Sequence, residues 1–350
     1  MKKYFIVIAM LALLSCKKED EKTVYKPSFA TVEVDTLLQD KISIRALVTD
    51  GDKAWYAGSE GKYGYVSLSG GKSLNGVVAK DSVLPEFRSI AQNKSDIFIL
   101  NAGTPAMLYK ISKDGRAVRK VYTETGEKVF YDSMQFYNDT DGIAMGDPTD
   151  GCLSVIVTED GGGNWRKISC DVLPETTEGE AAFAASNTNL IIEGNNTWMV
   201  SGGKKSRVFY SADKGKSWKV YDTPIVQGNE MTGIFSADFY DDKIGFAVGG
   251  DYEKPDKNSG NKILTVNGGK DWQLVGEGTG FGYASCVQFV PQSNGNELIT
   301  CGPSGVFYSF DRGTTWKNVH DDKTLHTLRF TDNKTVIAAG QGKIIRIRLQ

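Results

Sequence analysis

The chain has 350 residues, 40% hydrophobic and 24% charged, with a formal net charge of −2. That length holds one large repeat fold or two ordinary domains, and the near-neutral balance argues against the basic surface that a nucleic-acid partner needs. Beyond the N-terminus no apolar run is long enough to cross a bilayer.

Taken in order, Lys2 and Lys3 precede a short apolar run from Tyr4 to Leu14, the pattern of a processing signal. Leu13-Leu14-Ser15-Cys16 then resembles a bacterial lipoprotein box, which implies cleavage before Cys16 and attachment of lipid, including palmitate, to that residue. Residues 17–28 begin with Lys17-Lys18-Glu19-Asp20-Glu21-Lys22 and read as a solvated tether. The expected address is the bacterial outer membrane, on its periplasmic face or displayed at the surface. Residues 29–350 are expected to form a single domain.

From residue 43 a unit of about 47 residues recurs, a period typical of propellers and solenoids. Seven short apolar strands end in Gly: Trp55–Gly58, Leu100–Gly103, Ile143–Gly146, Met199–Gly202, Phe246–Gly249, Ile299–Gly302 and Ile337–Gly340. Seven small-residue strands precede them, at Arg45–Val48, Arg88–Ala91, Asp132–Phe136, Ala182–Ala185, Phe235–Phe239, Ser285–Phe289 and His326–Phe330. They suit the crowded centre of a ring. The last unit stops at its third strand, Lys343–Leu349, and the segment 29–38 is free to supply a fourth. The expectation is an all-β, seven-bladed β-propeller, closed by the N-terminal strand completing the last blade and leaving no open edge.

Four units carry a common hairpin: Ser or Thr, any residue, Asp, any residue, Gly, two more, then Trp. The copies centre on Asp160 and Trp165, Asp213 and Trp218, Asn267 and Trp272, and Asp311 and Trp316. The Asp or Asn side chain accepts from backbone N–H groups, the Gly takes a positive φ, and the Trp buries its ring beside the turn. These modules match the Asp-box, or BNR repeat, of sialidases, sortilin-type receptors and photosystem II assembly/stability factor-like propellers. Gly146–Gly151, Glu180–Ser186 and Ala247–Tyr252 look like segments of the last group. The resemblance implies a propeller over essentially all of residues 29–350 and a structural role for the boxes. Some members are labelled oxidoreductase or glycosyl hydrolase, although no motif here supports either label.

Asp-boxes join third and fourth strands, so they lie on one face of the disc. The opposite rim collects Arg45, Arg88, Asp132 and His326 at equivalent positions, with Glu180 at the start of the fourth inner strand. Its loops add Asp147, Asp150, Lys204, Lys205, Asp251 and Tyr252. Convergent charge at a channel mouth suits ligand binding, and a solvated polar rim is the plainer reading of the same residues. The expected role is a monomeric binding or scaffold module for an envelope protein or glycan. A glycoside hydrolase or lyase using rim carboxylates is the alternative. Phe87-Arg88-Ser89-Ile90 lacks the Pro of the sialidase Phe-Arg-Ile-Pro signature, and only Arg45 and Arg88 fall on the rim, which argues against a sialidase.

No cofactor is expected. Gly276–Gly282 is glycine-rich but has no βαβ unit around it. With His320 and His326 the only histidines, no His-based metal site is expected, and a capped turn accounts for Asp147-Pro148-Thr149-Asp150. Besides Cys16 the chain has Cys152, Cys170, Cys286 and Cys301. The two successive pairs could bridge neighbouring strands in an oxidising compartment, but four buried thiols are the preferred expectation.

Overall fold

The computed structural model describes residues 25–79 and 84–350. The leader, Cys16 and the charged run up to residue 24 lie outside the described residues. What is described is a ring of antiparallel sheets, a β-propeller. Alternate strand residues pack between neighbouring sheets, so the core is a series of inter-sheet layers. One layer joins Phe98, Leu108, Met134, Ala144, Ile156 and Trp165; another joins Ile143, Leu153, Met199 and Phe209. Burying each large apolar side chain is worth about 1.5–3 kcal/mol.

The expectation of seven separate blades is corrected. Counted as hydrogen-bonded sheets, the described strands make six blades. The difference lies where the ring closes. The 15-residue strand Thr335–Leu349 pairs through its first half with Leu325–Asp332 and through its second half with the start of Val32–Asp50. The rest of Val32–Asp50 pairs with Lys53–Gly58. The first and last sequence units therefore share one six-stranded sheet. Motifs ending in Gly count second strands, and they do not register that two long strands carry the ladder from one unit into the next.

The four Asp-boxes form as the residue types dictate. Asp213 Oδ1 accepts from the N–H groups of Lys216 and Ser217 at 3.0 and 2.8 Å, while Gly215 N–H donates to Ser211 Oγ at 2.8 Å. Asp160, Asn267 and Asp311 repeat the arrangement. The glycine of each turn holds φ between +74° and +82°. At Gly162 a Cβ would come within 2.2 Å of the Phe98 ring, and at Gly313 within 2.3 Å of Phe246, so in these two boxes a ring of the neighbouring sheet seals the turn. The indole N–H of Trp218, Trp272 and Trp316 donates to a glycine carbonyl of its own turn.

Cys152 and Cys170 are joined, with Cα atoms 5.6 Å apart. This corrects the expectation of four thiols for that pair, because the hairpin between them returns the chain to its start. Cys286 and Cys301 are free and buried.

The fourth unit departs from the repeat. Ala182–Ala185 is not its inner strand; Leu190–Glu193 is. Residues 183–189 leave the sheet and cross the centre of the ring, bonding to nearly every other unit. Arg45 donates to Ala185 O at 3.0 Å, and Asn187 Nδ2 donates to Ile90 O at 2.8 Å. Met134 N–H donates to Asn187 Oδ1 at 3.1 Å, and Thr188 Oγ1 donates to Ser236 Oγ at 2.7 Å. Ser186 Oγ donates to Ser285 O at 2.6 Å, and Thr327 Oγ1 donates to Ser186 O at 3.0 Å. Residues 184–189 are all buried. Inner strands end their ladders at the axis, and this polar segment supplies partners for the groups left there.

Candidate functional site

The crossing segment divides the centre of the ring into two concavities. The larger, of about 540 Å³, opens on the face opposite the Asp-boxes. Arg45, Arg88, Asp147, Glu180 and Tyr252 line it, as the sequence led us to expect, together with the chain 181–185. The smaller, about 270 Å³, opens at the other end beside Asn187 and Arg329.

Arg45 and Arg88 enter from the first two inner strands, and each rests a terminal nitrogen on a carbonyl of the crossing segment, Ala185 O and Ala184 O. Their Nε atoms are buried and make no hydrogen bond. Arg88 Nε has Glu86 Oε1 as an ion-pair partner at 3.5 Å. Burial and then the like charge of Arg88 lower the Arg45 pKa from its ordinary value, so the two cations sit together at an electrostatic cost. His326 lies near both: burial first, then Arg45 and Arg88, push it down to about 3, so it is neutral at physiological pH.

The carboxylates divide into three kinds. Glu180 is fully committed: it takes Nε and Nη2 of Arg207, Ser201 Oγ at 2.6 Å and Thr177 N–H at 2.9 Å. Asp251 caps its own loop by accepting from the N–H groups of Glu253 and Lys254. Asp147 and Asp132 differ from these. Asp147 accepts from Ala182 N–H at 2.7 Å and faces the cavity, and burial raises it to about 6. Asp132 is fully buried, and among the described residues neither of its oxygens has a hydrogen-bond partner. Burial pushes its pKa well above the ordinary value, Asp147 adds to the rise, and Arg88 opposes it.

The remaining rim residues do not converge. Lys205 pairs with Asp222, and Asp150 lies beside the disulfide in another concavity. Two further arginines are engaged elsewhere: Arg207 is held by Glu180, and Arg329 is tied to Ser186 O and Asn187 O beside the smaller concavity.

An aromatic wall was not expected from the sequence. Phe183 stacks on Phe235 with ring centres 3.9 Å apart, and Tyr283 meets Phe235 edge-on at 4.7 Å. Tyr252, 46% exposed, meets Tyr283 edge-on at 5.2 Å. The cavity thus joins two cations with spare donors to a flat apolar wall. That arrangement can hold an anionic group attached to an apolar or planar body.

Comparison with known proteins agrees with the fold. The BNR/Asp-box repeat family matches residues 307–318, the last of the four boxes. No curated protein matches the chain. Among solved structures, YCF48 bound to a D1 peptide is similar at 12% identity over 93% of this chain and 97% of that one, with a TM-score of 0.63. A streptogramin B lyase is similar at 12% identity over 93% and 100%, with a TM-score of 0.67. The GH74 xyloglucanase from Xanthomonas campestris is similar at 14% identity over 89% of this chain but 53% of that one, with a TM-score of 0.60. At such identities the likeness is one of fold. The protein is a β-propeller with BNR-type repeats.

Proposed function

We propose that the chain is a lipid-anchored binding module of the bacterial envelope, whose Arg45–Arg88 cavity receives an anionic segment of a protein partner. The observation that carries this reading is the pair of guanidinium groups whose buried Nε atoms make no hydrogen bond among the described residues, beside an aromatic wall. A ligand carboxylate there would gain charge-assisted hydrogen bonds and relieve the repulsion between the two cations. The D1 peptide named with YCF48 supports a peptide or protein ligand on this fold.

The direction of chain entry bears on how an anchored chain would be oriented. Ser28 Oγ donates to Glu297, and Lys317 Nζ donates to Ala30 O, just beyond the last Asp-box. The described chain thus starts on the Asp-box face, and a tether from Cys16 would leave the cavity facing away from the membrane.

The test uses the soluble form lacking residues 1–16 and an array of acidic and neutral peptides. Binding to acidic peptides that is lost in R45A/R88A, with folding retained, is the expected result. Binding unchanged by that double substitution overturns the reading.

A second reading, a glycoside hydrolase, has one observation in its favour. Asp132 and Asp147 are neighbouring carboxylates of raised pKa, the kind of pair that can divide acid and base roles. Turnover of an envelope glycan that disappears in Asp147→Asn would establish it in place of the binding role.

A further inference from the structure

Cys286 and Cys301 stand opposite each other on the antiparallel strands Cys286–Phe289 and Leu298–Gly302. Directly opposed residues of such a pair have Cα atoms about 4.5–5.5 Å apart, inside the range of about 4.4–6.8 Å that a disulfide spans. The same chain carries the Cys152–Cys170 bridge, which needs an oxidising compartment to form and persist.

We infer that Cys286 and Cys301 form a second disulfide while the chain folds, before the ring closes. The order follows from access. Neither cysteine is exposed, and Cys286 lies against Thr188 of the crossing segment and Leu328 of the last unit. The hairpin 286–301 is local and forms early, whereas the crossing segment and the terminal strands draw on distant parts of the chain and arrive later. In that interval the Cys286 thiolate attacks the disulfide of a dithiol–disulfide oxidoreductase, releasing one of its sulfurs as a thiolate. Cys301, deprotonated in turn, displaces the other. The pair loses two electrons and two protons, and the oxidoreductase leaves as a dithiol.

The experiment compares full-length protein made with its own leader in a Gram-negative host with the form lacking residues 1–16 made in a reducing cytoplasm. Both are denatured, alkylated without reductant, and peptide-mapped. The exported protein should yield a 286–301 crosslinked peptide and no alkylation at either site, whereas the cytoplasmic protein should be alkylated at both. Native cytoplasmic protein given oxidised glutathione should keep both thiols until it is unfolded. Exported protein alkylated at both Cys286 and Cys301 overturns the disulfide. Bridging of the native cytoplasmic protein without unfolding overturns the order of events.

Discussion

Arg207 and Glu180 face each other as a fork, Nε on Oε1 at 3.0 Å and Nη2 on Oε2, with the Glu180 side chain wholly buried. A carboxylate with that many partners has no capacity left for a substrate. Replacing it by Gln keeps the shape but leaves a charged Arg207 without its counter-ion. Breaking one side of a buried pair costs about 3–5 kcal/mol. Glu180→Gln should therefore lower the urea midpoint strongly while the folded fraction still binds acidic peptide. A variant of normal stability that loses binding would return Glu180 to the site.

Asp147 makes stability depend on pH. Its pKa rises from 3.8 in the unfolded chain to about 6 in the fold. A raised carboxyl pKa means the charged form is the disfavoured one, so the penalty is absent below 3.8 and fully present above about 6. Asp147→Asn keeps an oxygen for the Ala182 N–H. It should raise stability at neutral pH by at most ~3 kcal/mol and leave it unchanged in acid. Urea titrations at the two ends of this window give the comparison, and an equal effect at both would contradict the assignment.

The Asp-boxes work in the opposite sense. Asp160 is lowered from 3.8 to about 2, chiefly by the Asn164 N–H, and Asp213 to about 2, chiefly by the Ser217 hydroxyl. Their contribution is complete above 3.8 and disappears as pH falls toward about 2. The double variant D160N/D213N should flatten acid unfolding across that window. Asn267 shows that Asn serves the same turn, since its Oδ1 accepts from Asp271 N–H at 3.0 Å. Thermal melts of parent and variant that fall in parallel between these pH values would rule this out.

Asn187 ties the crossing segment to two inner strands, with its backbone at φ +58°. Asn187→Ala would leave the Met134 N–H and the Ile90 carbonyl buried and unpaired, at about 1–3 kcal/mol for each group. Hydrogen exchange at Met134 should accelerate by more than exchange in the Asp-box hairpins. A uniform change across the ring would mean that the segment only fills space.

The hairpins were legible because each is local: Asp213 and Trp218 build one turn with residues in between. The cavity was legible in part, since Arg45 and Arg88 sit at matching points of their units and equivalent strands aim them at one place. Glu180 lines the cavity as read, but its engagement was hidden, because its partner Arg207 lies on the third strand of the same unit, a pairing that no spacing announces. The aromatic wall escaped for a similar reason, as Phe183, Phe235 and Tyr283 come from different units. Residues 183–189 did carry a signal. Ser186-Asn187-Thr188-Asn189 is a polar run where every other unit places an inner strand, and its side chains match the orphan groups of an axis. The blade count failed at the one junction where strands run on without a turn.

The crossing segment also restricts how such a chain can evolve. A ring with an empty centre can gain or lose a repeat with little more than a change of bore. Here one heptapeptide, 183–189, carries a separate hydrogen-bond address for almost every unit around it. Deleting or duplicating a repeat would leave buried addresses without recipients. The size of this ring is thus written into a single stretch of sequence, and change is more readily tolerated in the outer loops than in the number of repeats.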